Sequence, residues 1–146
     1  MEIVMSQSNQ SDLFSSKVLK LKFKIGSFHS SNRLILEGDK ITITPSPYAI
    51  EETAVTCIPS NENWLEFSHN LEQLNVLSWD KSYHDPSILD GTQWSLLVLT
   101  ESYEVDTGGS NAYPGNFDEL IKTINRLISQ EYFTLNYNRT SRYISG

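Results

Sequence analysis

The residues of this chain that could do chemistry are three histidines, one cysteine and a run of carboxylates. His84-Asp85 lies between Asp80 and Asp90, a grouping that would suit a metal ion or a general base. Its spacing fits no zinc pattern, and carboxylates beside a loop histidine are ordinarily just solvated. Cys57 paired with a histidine would make a nucleophile and its base. But Cys57 stands in the apolar run Ala54-Val55-Thr56-Cys57-Ile58, where a small thiol usually packs. His69 falls off the apolar stripe of its segment and is expected to be exposed. There is no phosphate-binding glycine loop, dinucleotide fingerprint or serine-nucleophile elbow. The expectation is no catalytic residue, no metal site and no cofactor.

Two glycine-bearing segments raise a different possibility. They are Leu89-Asp90-Gly91-Thr92-Gln93-Trp94 and Gly109-Ser110-Asn111-Ala112-Tyr113-Pro114. Asp90-Gly91 can turn the chain into a strand on which Trp94 alternates with Leu96 and Val98. Gly108 and Gly109 permit unusual φ values, and Pro114 and Asn116 lead into a helix. Turn chemistry explains Asn111 and Tyr113 least. A tyrosine there could anchor a partner. With Trp79, His84 and Asn111 it could instead line a pocket for a substrate or small ligand.

The elements that must position these residues follow from periodicity. Residues 1–16 are rich in Ser, Gln and Asn and read as a loose arm before a single domain, 17–146. Leu19, Leu21, Phe23 and Ile25 alternate with Lys20, Lys22 and Lys24, which predicts a half-buried strand, its lysines guarding a sheet edge. Gly38-Asp39 suits a hairpin between two β-rich runs. Residues 45–52 read as a loop because of two prolines, and 53–58 as a short strand. Trp64, Phe67, Leu71 and Leu74 share one helical stripe behind Ser60 as N-cap. Residues 75–79 read as a return to strand, 80–91 as loop, and 92–102 as a central strand. Residues 103–107 read as its antiparallel neighbour, with Glu104 and Asp106 facing water. Phe117, Leu120, Ile121, Ile124, Leu127 and Ile128 predict a second helix, with Asn116 as N-cap and Glu119 completing a capping box. The tail after residue 130 could add a strand or lay its aromatics on the sheet. The order predicts an α+β fold: a mostly antiparallel sheet with two amphipathic helices packed on one face.

Net charge is −7, and its placement is uneven. Residues 78–119 carry eight acids against one base, Lys81. Such a stretch repels phosphate backbones and disfavours nucleic acid, while it attracts a basic partner. A solvated acidic face kept for solubility is the plainer alternative. No run approaches the roughly 20 apolar residues of a membrane span. The first residues lack the basic and apolar regions of a signal peptide, and a single cysteine makes no internal disulfide. These point to the cytoplasm and away from membranes.

The series Trp64, Phe67, Leu71, Leu74, Trp79, then "DGTQWSL", "GSNAYP" and "FDELIKTINRLI" resembles a widespread group of small bacterial proteins. The likeness covers about residues 60–129 and marks a fold more than a reaction. Some members of that group look like immunity proteins, small acidic partners that neutralise toxin domains in bacterial competition. The resemblance thus implies a non-enzymatic immunity protein that neutralises a toxin, and the acidic stretch points to a basic toxin surface, such as a nuclease active site that holds phosphate. The contact set expected from charge and aromatics is Tyr83, Asp85, Asp90, Glu104, Asp106 and Tyr113. Two alternatives remain: an enzyme or ligand binder using the pocket named above, and a structural or adaptor subunit that oligomerises through its lysine-faced edge strand.

Overall fold

Alternation of apolar and polar residues gives strands with one dry side, and this chain joins seven of its described strands into one sheet. The computed structural model describes residues 14–27, 31–46, 54–87, 91–133 and 142–144. Its strands are β1 (Val18–Gly26), β2 (Ser31–Glu37), β3 (Lys40–Ser46), β4 (Val55–Cys57), β5 (Ser82–His84), β6 (Gln93–Thr100), β7 (Glu104–Ser110), β8 (Ala112–Pro114) and β9 (Arg142–Ile144). The helices are α1 (Asn61–Leu74) and α2 (Phe117–Ile128). The sheet order is β4-β3-β2-β1-β6-β7-β5, and β8 and β9 form a separate parallel pair. Within the large sheet only β5 runs parallel to its neighbour, β7. Gly38, with φ +67°, makes the expected two-residue hairpin turn between Glu37 and Lys40. Pro45 sits in β3 beyond the stretch that β4 covers, where a missing N–H is tolerated. The rest of the expected loop, 47–52, lies outside the described residues.

Both helices cover the same side of the sheet. Ser60 Oγ accepts from Asn63 N at 3.0 Å, capping α1 as expected. Phe67, Leu71 and Leu74 of α1 and the whole predicted stripe of α2 are buried with Leu21, Phe23, Leu34, Ile41, Ile43, Trp94, Leu96 and Val98 in one core. Trp64 is half-buried against it, edge-on to Phe67. Each large apolar side chain so buried contributes roughly 1.5–3 kcal/mol. The helices run antiparallel and are tied at both ends. Asn63 Nδ2 donates to Leu127 O and Ser129 Oγ at 3.3 and 2.9 Å, and Asn116 Nδ2 donates to Leu74 O at 3.1 Å. The architecture is therefore the expected α+β arrangement.

Several local expectations are corrected. β1 is the middle strand of the seven, so its lysines guard no edge; the edges are the three-residue β4 and β5. Leu19 is not in the core. The β1–β6 register slips between Val18 and Lys20, so Leu19 and Lys20 together oppose Leu99. This β-bulge leaves Leu19 46% exposed while Val18 turns inward. Phe14, assigned to the arm, is buried against Tyr103 with ring centroids 4.8 Å apart; residues 1–13 lie outside the described residues. Residues 76–78 form a 3₁₀ turn instead of a strand, because Asn75 ends α1 in the left-handed region, φ 57°. The expected loop after Trp79 contains β5, whose pairing with β7 no local pattern announces. Asn116 stands at the N-cap of α2, but its side chain does not cap it; the amide is spent on Leu74 O. The tail does both things expected of it. Phe133 packs edge-on against Phe23 at 5.2 Å, its backbone bracketed by the Asn125 amide at 2.6 and 2.9 Å. β9 pairs with β8, outside the main sheet.

Tyr103 carries a cost that the fold can do without. Its hydroxyl is buried with no hydrogen-bond partner among the described residues, and burial pushes its pKa up to about 12. Replacing it with phenylalanine removes an unsatisfied polar group, so Tyr103→Phe should match or exceed the parent's stability at pH 7, by up to roughly 1 kcal/mol. The folded chain holds this proton through a pH range in which the unfolded chain, with an ordinary tyrosine pKa near 10, has lost it. Stability must then fall as pH rises from about 10 to about 12. Urea midpoints of parent and variant across that window should show a shallower decline for Tyr103→Phe.

Candidate functional site

The two glycine-bearing segments meet each other. Asn111 Oδ1 accepts from Thr92 N at 3.0 Å, and Asn111 N donates to Thr92 O at 2.8 Å. This bracket needs Asn111 at φ 61°, a left-handed conformation that asparagine tolerates better than most residues. Trp94 Nε1 then donates to Ala112 O at 2.9 Å. A Cβ at Gly109 would lie 2.5 Å from both of those atoms, so only glycine lets the indole cross there. The Trp94 ring packs on Trp79, Tyr83, Tyr113 and Phe117, at centroid distances of 6.4, 6.0, 6.4 and 4.8 Å. Trp79 Nε1 donates to Leu74 O at 3.2 Å, the same carbonyl that Asn116 reaches. The end of α1, the start of β6 and the start of α2 are thereby clasped at one point. Turn chemistry and packing account for the described residues of both segments.

The six expected contact residues do not form one surface. Tyr113 is 0% exposed and Tyr83 is buried; the Tyr83 hydroxyl accepts from Asp80 N at 3.0 Å. Both tyrosines belong to the core, so neither can anchor a surface partner. Asp85 is buried as well. Its Oδ1 accepts from Ser87 N and Ser87 Oγ at 3.0 and 2.6 Å, which makes it the organiser of a turn. Asp90 lies outside the described residues. Only Glu104 and Asp106 stand exposed, on β7. The alternative pocket also fails to assemble. Trp79, Asn111 and Tyr113 pack beneath the sheet, whereas His84 is exposed on the other side, where its pairing with Ser110 places it. His84 and Asp85 point to opposite sides and do not converge.

What sequence reasoning missed is the open side of the sheet, opposite the helices. Register places Lys22 beside Leu97 and Lys20 beside Leu99. On the far side of the same two leucines stand Asp106 and Glu104. Arg33 lies next to Lys24. One face therefore carries a cationic strip on β1 and β2 and an anionic strip on β7, two strand spacings or about 10 Å apart. Half-buried Leu97 and Leu99 run between them. Among the described residues none of these six charges takes part in an ion pair. A shallow depression of ≈ 480 Å³ beside β5, lined by Lys81, His84, Ser95 and Asp106 over Gly108, opens on this face. A second hollow of ≈ 640 Å³ lies between residues 14–18 and the start of α1, with Ile58, Trp64 and Leu65 on its walls. The period-two pattern gave each strand its wet residues, but strand order alone sorts them into strips.

Burial pushes the Cys57 thiol up from its ordinary value, which keeps it protonated at neutral pH. His69 and His84 are exposed and His29 lies outside the described residues. Among the described residues no three His, Cys, Asp or Glu side chains gather as a metal cluster would require, and no helix is long and apolar enough to cross a membrane. No family model, no curated protein and no solved structure matches the chain.

Proposed function

We propose that this chain is a non-enzymatic binding protein of the immunity type, which neutralises a basic bacterial toxin domain through the acidic side of its open sheet face. The observation that carries this reading is the pair Glu104 and Asp106. Both carboxylates are exposed and, among the described residues, without an ion-pair partner, on a strand paired to β6 along its length. A strand fixed in the sheet presents charge with no backbone ordering cost on binding. Opposite charge then steers encounter, and the neighbouring Leu97 and Leu99 supply apolar contact in place of the buried tyrosines. A toxin whose active site holds phosphate is cationic there, which makes a nuclease domain a fitting partner and the cytoplasm the fitting location. The resemblance carried by Trp79, "DGTQW" and "GSNAYP" points the same way.

The test is association and dissociation kinetics against the product of the adjacent gene, at two salt concentrations. Neutralising both acids, Glu104→Gln with Asp106→Asn, should slow association on the order of tenfold at low salt. The loss should shrink in 1 M salt, where the Debye length is about 3 Å. Binding that ignores both salt and the two substitutions would remove the acidic-face reading.

A further inference from the structure

We propose that the open sheet face is the interface of a two-fold dimer, in which the lysine strip of β1 on one copy lies over the Glu104–Asp106 strip of β7 on the other. The argument begins with where the charges sit about β6. Lys20 and Lys22 flank Leu99 and Leu97 on one side, and Glu104 and Asp106 flank the same leucines on the other. Left and right of β6 are thus opposite in sign, and among the described residues none of these four charges takes part in an ion pair.

A two-fold axis that lies in the interface and runs along β6 exchanges left and right. It lays β1 of each copy over β7 of the other and brings the leucines of both copies together on the axis. An axis in the interface but perpendicular to β6 would set lysine on lysine. Charge placement therefore selects one of the two symmetric pairings, and the contact is isologous, as a closed dimer requires. Strands related in this way stay nearly aligned, the ordinary geometry of packed sheets.

The bulge supports the same face. It takes Leu19 out of the core and sets it opposite Leu99, which widens the apolar middle. Size also fits. The five long strands, about 4.8 Å apart and rising about 3.3 Å per residue, project to roughly 600 Å². A face covered in side chains exposes more than its projection, close to the about 800 Å² per partner of a standard interface. The inference goes beyond the partner reading, and it is tested on the chain alone, so either can fail without the other. If both hold, a basic partner must displace the second copy, because Glu104 and Asp106 cannot face both.

The experiment is sedimentation equilibrium of the full chain and two charge-reversed forms, with circular dichroism confirming that each is folded. One form carries Lys20→Glu and Lys22→Glu, the other Glu104→Lys and Asp106→Lys. The parent should sediment at twice 16.6 kDa at roughly 100 μM, since interfaces of this size bind at micromolar or tighter. Each reversed form alone should be monomeric, and the equimolar mixture should recover the dimer mass, because acid then faces base on both sides of the axis. A monomeric parent, reversed forms that remain dimeric, or a mixture that fails to pair would each overturn the proposal. Should either reversed form unfold, Leu97→Glu takes its place: it must give a folded monomer, and a dimer that survives it overturns the proposal equally.

Discussion

Trp94→Ala should remove a large part of the protein's stability, with a loss of roughly 3–5 kcal/mol in chemical denaturation. The indole touches Trp79, Tyr83, Tyr113 and Phe117 together. Removing it opens a cavity between the sheet and the start of α2 and leaves Ala112 O without its 2.9 Å donor. Trp94→Phe separates the two contributions. It keeps most of the ring volume and loses only the donor, so its cost should fall to about 1–3 kcal/mol, the penalty of an orphaned buried carbonyl. Equal losses in the two variants would mean that packing about Trp94 contributes little and that the clasp is held by the hydrogen bond alone. Tyr113→Ala should likewise appear as lost stability, because its ring is wholly buried.

Asn111 should show an inverted order of substitutions. At an ordinary buried position alanine is tolerated better than glycine. Here alanine loses the acceptor for Thr92 N, about 1–3 kcal/mol, and also suffers the left-handed backbone, about 1–2 kcal/mol more. Glycine suffers only the first loss. Asn111→Ala should therefore be less stable than Asn111→Gly, with a total cost on the order of 3 kcal/mol. Thermal or urea midpoints of the two variants decide it. If alanine equals or exceeds glycine, the φ of 61° is not a constraint on this site.

The candidate site was legible only in part. Glu104 and Asp106 were readable because strict alternation with Val105 and Thr107 dictates which side of a strand each residue faces. Asp85, Tyr83 and Tyr113 were misread as contacts because residue type says nothing of what lies opposite. A carboxylate two residues before a serine can organise a turn, and a tyrosine after a glycine turn can close a core. His84 was grouped with Trp79 by nearness in sequence, yet Trp79 closes the turn after α1 against Trp94 while His84 faces outward from β5.

By itself the sequence determined the elements whose period is long and regular: β1, the Gly38-Asp39 hairpin, both helices, and the β6–β7 pair with its wet acids. Local sterics and amphipathic burial suffice for these, so no distant partner need be known. It also determined the clasp residues as a pattern, without their purpose. Tertiary structure alone decided that β1 is central, that β5 joins β7 in parallel, that Leu19 leaves the core, and that the lysines and acids become two strips on one face. Each of these depends on pairing between residues far apart in the chain. Strand order is a choice among arrangements that bury nearly the same apolar surface, and hydrophobic burial is non-directional. The pattern of one strand therefore cannot name its neighbours, and it is the neighbours that make the face.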